Sequence, residues 1–156
     1  MAQMWRVIFF SIGVIYLTLF HQLGNLAFVG PDEPRYARIG EEMHISGNYT
    51  TPTLHHLPWL EKPPLLFWLE AGSFSLFGTH EWSARLPAAA LALISTVIVG
   101  AFVIYLKGFQ AGILTILILC TSGLFFVFSR AASTDTILVS MLSIAMVCGY
   151  RTAYNK

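Results

Sequence analysis

Asp32, Glu33, Arg35, Arg38, Glu41 and Glu42 crowd into the stretch GPDEPRYARIGEEM, which begins at Gly30 directly after a long apolar run. Asp32 is placed to cap a helix whose opening turn holds Pro34. Glu33 suits a metal or, preferably, the positive end of the helix dipole, and Arg38 is spaced to pair with Glu41 and Glu42 on a solvated face. A second cluster, EKPP, puts Lys62 just ahead of Pro63 and Pro64, where another helix can open. A cation beside a positive helix end makes an anion site, and beside a bilayer the obvious anion is a lipid phosphate. Snorkelling to headgroups is the plainer reading of Lys62. His55 and His56 invite a zinc site with Glu61, although adjacent histidines diverge in most backbones and this spacing assembles no secure three-ligand set. Arg85, in SARLP, fits a phosphate or an ordinary headgroup contact. Asp135 is the only acid beyond the long polar loop, so it is a functional candidate by its depth. Its rival role is a helix N-cap, which Ser133 and Thr134 could also fill. His21, His44 and His80 carry no comparable signal.

The elements that must hold these groups are membrane helices. A chain that is 56% hydrophobic and 11% charged, with a mean hydropathy of +0.66, lies outside the range of soluble domains. Its net charge of +1 gives no reason to expect nucleic acid, so the placement of charge matters more than its sum. Cys120 and Cys148 both lie in apolar runs and read as small buried or lipid-facing residues, not as a disulfide or metal pair.

Hydropathy predicts four spans, about 5–23, 83–106, 111–128 and 134–150, the last short for a full crossing. A cleaved signal peptide competes for the first run, but HQLGNLAFVG is a poor cleavage site. Between the first two spans the loop 24–82 is too apolar and aromatic to be a disordered linker. It should carry two interfacial helices, one from about Glu33 to Ser46 stopped by Gly47, the other opening after Pro64 and ending at Gly78. Arg6, Lys107, Arg151 and Lys156 lie in segments without acids, which marks those segments as cytoplasmic. The long loop and the SRAASTD turn, which contain every Asp and Glu, then face outward.

The ordered series DEPRYA, GNYTTPTLHHLPWLEKPPLLFWL and EWSARLPAAALAL resembles the N-terminal region of polyprenyl-phosphate-sugar-dependent glycosyltransferases with the C-type membrane fold. More narrowly, it is similar to the branch that holds the protein O-mannosyltransferases and the bacterial transferases that add aminoarabinose to lipid A. The likeness runs from Asp32 to about Leu93. It implies an all-α membrane bundle of which this chain is the N-terminal fragment, with about eleven to thirteen helices in the whole enzyme.

By that resemblance Asp32 is the catalytic base. A carboxylate there can orient an acceptor hydroxyl or phosphate and take its proton as the acceptor attacks the anomeric carbon of a lipid-phosphate sugar. The resemblance also makes Lys62 a ligand of the donor phosphate, Glu61 a metal ligand in some members, and Asp135 a candidate second acid. Arg35 pairs with Asp32 or with the donor phosphate, and Arg85 is a further phosphate contact. The expected partners are a polyprenyl-phosphate-sugar donor, a lipid, glycan or protein acceptor, and membrane lipids. No particular cofactor is specified, a divalent metal at Glu61 being the one candidate. The expected place is the bacterial inner membrane with the active side outward. The isolated fragment should be inactive. The rival class is a non-catalytic membrane module, favoured if the reading frame truly stops after Lys156; a small transporter is disfavoured because the spans are almost free of ionisable residues.

Overall fold

A computed structural model describes residues 2–154. Lys156, one of the basic residues that bear on orientation, lies outside the described residues. Helix α1 (Ala2–Leu19) is mostly apolar, and the hydroxyls of Ser11 and Thr18 turn back onto the carbonyls of Val7 and Val14 at 2.9 and 2.8 Å. This local bonding satisfies both hydroxyls within the helix. The helix stops short of the predicted residue 23. The amides of Phe20 and His21 both donate to the Tyr16 carbonyl, and Gln22 takes a left-handed φ of 54°, which turns the chain away from the helix axis.

The outer loop folds into two helices joined by a hairpin. Helix α2 (Asp32–Ser46) ends at Gly47, whose φ of 66° lets its amide close onto Met43 at 3.1 Å. Helix α3 (Leu65–Phe77) follows Pro64 and ends at Gly78. Between them β1 (Thr53–Leu54) and β2 (Leu57–Pro58) pair antiparallel, a feature absent from the sequence expectation. Tyr36, Ile39 and Met43 of α2 pack on Leu66, Phe67 and Ala71 of α3. The two backbones approach closely at Gly40, where a Cβ would stand 2.7 Å from that of Glu70.

Beneath this cap run α4 (Glu81–Lys107), α5 (Phe109–Thr121), α6 (Gly123–Ser129) and α7 (Thr134–Tyr154). The Ser83 hydroxyl accepts from the His80 amide at 3.0 Å and starts α4 two residues before the expected position. Gly108, with φ of 90°, turns the chain into α5, and Gly112 then sits against Gly100 and Ile104 of α4 with no room for a side chain.

By length and composition α4 and α7 can cross a membrane, while α5 and α6 form one apolar pair bent by 68° at Ser122. The four expected spans thus resolve into two unbroken ones, a broken third, and the shorter apolar α1. The break has a local cause: Ser122 leaves the helical region with ψ of 125°, and its amide is the last to donate into α5. Apart from the two-residue strands, the regular structure of the described residues is all helix, an all-α integral membrane protein. Ala88 of α4 and Ile137 of α7 reach up into the α2–α3 core, so the outer cap is fastened directly to the spans.

Candidate functional site

Glu33 is the centre of the site. Its carboxylate accepts from the amides of Val29 (2.7 Å) and Ala132 (2.8 Å), and from Nε and Nη2 of Arg85 at 3.0 and 2.9 Å. Both side chains are buried, at 7% and 5% exposure. Burial alone would raise the Glu33 pKa, but the hydrogen bonds from Arg85 and the two amides outweigh it and hold the carboxyl below its ordinary range. Arg85 also donates to the carbonyls of Leu23 (2.9 Å), Leu26 (2.7 Å) and Ala27 (3.0 Å). One ion pair therefore ties the α1–α2 loop, the start of α4 and the α6–α7 turn into a single body.

That body corrects two expectations. Glu33 does more than meet a helix dipole, and both its oxygens are taken up by N–H donors rather than turned to a metal position. Arg85 was expected at a phosphate, but all five of its N–H groups are taken up by protein acceptors, which leaves none for a ligand.

Asp32 stands on the rim of this hub. The residue before it, Pro31, is the N-cap of α2, with no side-chain cap bond, so the capping role expected of Asp32 is absent. Asp32 is 61% exposed and meets Arg35 at 3.4 Å, a loose pair worth little. Ser133 caps α7 by accepting the Asp135 amide at 3.2 Å, which leaves the Asp135 carboxylate free of that duty as well. A cavity of about 380 Å³ brings Asp32, Asp135, Arg130 and the Glu33–Arg85 pair to one lining, closed on its apolar side by Leu26 and Phe128.

The remaining expected residues lie elsewhere. Lys62 and Glu61 are exposed and line no part of that cavity. Among the described residues no three of His, Cys, Asp and Glu converge on a metal position, so the expectation of a metal at Glu61 with His55 and His56 is not met. The two histidines occupy the hairpin turn with φ of 52° and 64°, and their amides both donate to Glu42, at 2.9 Å from His55 and 3.1 Å from His56. Glu42 also accepts from the Thr53 hydroxyl (2.8 Å) and Arg38 Nε (3.0 Å). Desolvation opposes its charge, yet these bonds lower its pKa to about 2. The expected solvated pair of Arg38 with Glu41 and Glu42 is therefore half correct: Glu41 is the outer partner, and Glu42 is a buried anchor.

The sequence model of the family described as dolichyl-phosphate-mannose-protein mannosyltransferase matches residues 61–156. The chain belongs to this family. Among the mannosyltransferase family's relatives in sequence, an undecaprenyl phosphate-alpha-4-amino-4-deoxy-L-arabinose arabinosyl transferase of Proteus mirabilis is 30% identical over 150 residues, covering 88% of this chain and 26% of its own. One from Shewanella sediminis is 42% identical over 67 residues, 43% of this chain and 12% of its own. In structure, ArnT from Cupriavidus metallidurans bound to undecaprenyl phosphate matches with a TM-score of 0.81 at 29% identity, over 90% of this chain and 25% of that one. The apo form of the same protein gives 0.80. The chain spans at most about a quarter of the length of these relatives.

Against that family background, sequence reasoning missed the role of Glu42 and the place of Arg130 on the cavity lining. Glu42 could have been flagged by a turn, Leu54-His-His-Leu57, that lacks the Asn-Gly pair such turns favour and so needs outside support. Arg130 was legible only as the one cation in the SRAASTD turn.

Proposed function

We propose that this chain forms part of an integral-membrane glycosyltransferase that moves a sugar from a polyprenyl-phosphate donor to a lipid, glycan or protein acceptor on the outer face of the bacterial inner membrane. The observation that carries the reading is the cavity at the loop ends of the helices, where Asp32 and Asp135 stand unburdened by structural duties on a frame that the buried Glu33–Arg85 pair makes rigid. The names of the relatives favour an aminopentose as the sugar.

In the reaction, an acceptor oxygen forms a bond to the anomeric carbon while the bond from that carbon to the phosphate oxygen breaks. The acceptor proton passes to the Asp32 carboxylate, and the bonding pair leaves on the polyprenyl phosphate. The low-cost orientation of both partners by fixed groups is what the rigid frame contributes. Asp135 serves as the second acid and steers the acceptor, while Lys62 and Arg35 draw the phosphate-bearing lipid to the entrance.

The test uses membranes containing the complete enzyme of which this chain forms part, and a radiolabelled donor lipid. Asp32→Asn keeps the size of the side chain and removes the base, so sugar transfer should fall by about 10²–10⁴-fold while donor binding persists. Transfer at the parental rate would remove Asp32 from the chemistry and the proposal with it.

A further inference from the structure

Glu42 takes no part in the proposed chemistry, yet both of its oxygens are engaged. Oε1 accepts from the His55 amide at 2.9 Å and from Arg38 Nε at 3.0 Å; Oε2 accepts from the His56 amide at 3.1 Å and from the Thr53 hydroxyl at 2.8 Å. One carboxylate of α2 thus grips two successive amides of the turn between β1 and β2. The two residues have φ of 52° and 64°, the left-handed pair that a two-residue hairpin turn requires and that Asn-Gly adopts readily. Two histidines adopt it only against steric opposition, so the turn depends on the anion that α2 supplies. The hairpin leads directly to Lys62. The Trp59 amide donates to the Pro52 carbonyl at 2.8 Å, and the Trp59 ring meets Tyr36 of α2 and Phe67 of α3 at centroid distances of 5.9 and 5.7 Å. Leu60, Glu61 and Lys62 follow, all exposed, and Pro64 then caps α3. Leu54, Trp59 and Leu65 all pack against the α2–α3 core, so the segment is pinned on both sides of Lys62.

We propose that Glu42 is a positioning residue for the sugar donor: by closing the β1–β2 turn it sets the hairpin arm that places Lys62 against the donor phosphate. The proposal rests on the glycosyltransferase reading above, in which Lys62 meets the phosphate-bearing lipid. Of the two anchors around Lys62, α3 is a helix packed into the core, whereas the hairpin arm keeps its shape only while the turn is closed. A side-chain amide is no substitute for the carboxylate. Glutamine has the same reach, but one of its two ends donates, so one of the turn amides then faces another donor. The arm loosens, and an ammonium whose stem starts from a mobile backbone is held less well against a phosphate. Glu42 therefore acts on the donor only through Lys62, and its effect should vanish when Lys62 is gone.

The experiment measures binding of undecaprenyl phosphate and of uncharged undecaprenol to the complete enzyme of which this chain forms part, in detergent micelles. The ratio of the two affinities reports the phosphate contact, since a loss of fold would weaken both lipids. Lys62→Ala should lower the preference for the phosphate by about tenfold or more. Glu42→Gln should lower it by about three- to tenfold, and the double variant should match Lys62→Ala alone, because a residue that acts through another adds nothing once that other is removed. Adding His55→Asn with His56→Gly to Glu42→Gln closes the turn without the anion and should return the preference to the parental value. If Glu42→Gln by itself fails to accumulate, the comparison is made between the Asn-Gly variants with and without it, which should agree. A double variant whose loss is the product of the two single losses, or an Asn-Gly turn that restores nothing, overturns the proposal. If Lys62→Ala loses the preference while Glu42→Gln keeps it, the reading of Lys62 stands and the role of Glu42 alone falls. If Lys62→Ala keeps the preference, Lys62 is not the phosphate contact, and the proposal falls with that reading.

Discussion

Arg85→Ala should be among the most damaging single substitutions in the protein. It leaves the Glu33 carboxylate buried with only the Val29 and Ala132 amides, and it strips donors from three carbonyls, those of Leu23, Leu26 and Ala27. Removing one partner of a buried pair costs about 3–5 kcal/mol, because the charge left behind can neither move to water nor find a counter-ion. In many proteins an apolar replacement of both partners recovers this cost. Here it should not recover fully, since Glu33→Leu with Arg85→Met still orphans two amides and three carbonyls, each a buried polar group in need of a partner. Unfolding of the detergent-solubilised protein by increasing SDS, followed by circular dichroism, gives the four corners of a double-mutant cycle. The single variants should each fall well below the parent, and the coupling should be about 1–3 kcal/mol. An Arg85→Ala variant within about 1 kcal/mol of the parent would show that the pair does not hold the outer body together, and the frame invoked for Asp32 and Asp135 would go with it.

Glu42→Gln should cost about 1.5–3 kcal/mol and expose the His55 and His56 amides to rapid hydrogen exchange, because a neutral amide replaces the anion that holds two left-handed residues. Adding His55→Asn with His56→Gly should restore the hairpin without that anion; failure to do so would place the anchor elsewhere. Glu70 is fully buried with no hydrogen-bond partner for either oxygen among the described residues, and burial, then the charge of Glu33, pushes its pKa well above the ordinary 4.5. Its contribution is therefore fully present below about pH 4.5 and lost as pH rises towards the folded value, so the SDS midpoint of the parent should fall relative to Glu70→Gln as pH rises above about 4.5. Glu42, lowered to about 2, and Glu33, also lowered, have the opposite sign and lose their contribution only as pH falls below about 4.5. Gly112→Ala should destabilise by about 1–3 kcal/mol, since the added methyl meets Ile104 and stands 2.7 Å from the Gly100 carbonyl; an unchanged midpoint would mean that α4 and α5 part easily.

The parts of this fold that could be read from the sequence are those with local causes. Gly47 and Gly78 stop their helices because a chain needs a residue free to leave the helical region there, and Pro64 opens α3 because its missing N–H costs nothing in a first turn. The long apolar runs of α4 and α7 are likewise set by composition alone. What escaped reading depends on partners far along the chain. Glu33 meets Arg85 across 52 residues and the Ala132 amide across 99, and Arg130 reaches the end of α1 across more than a hundred. No periodicity encodes such pairings, since a charged residue on a loop looks the same whether it faces water or another loop.

The error over Arg85 shows how the two kinds of information combine. An arginine at the membrane entrance of a helix reads as a phosphate ligand because that is the nearest local anion. Folding instead offers it a carboxylate and three carbonyls in fixed positions, and a guanidinium with five donors is better satisfied by five held acceptors than by one mobile headgroup. Once Arg85 is spent in this way, the adjacent acid Glu33 is spent too, and Asp32 and Asp135 are left as the acids of the cavity lining without comparable bonds. The division of labour follows from geometry: Glu33 points into the body and builds it, whereas Asp32, one residue earlier on the same helix, points about 100° away and is left to the cavity.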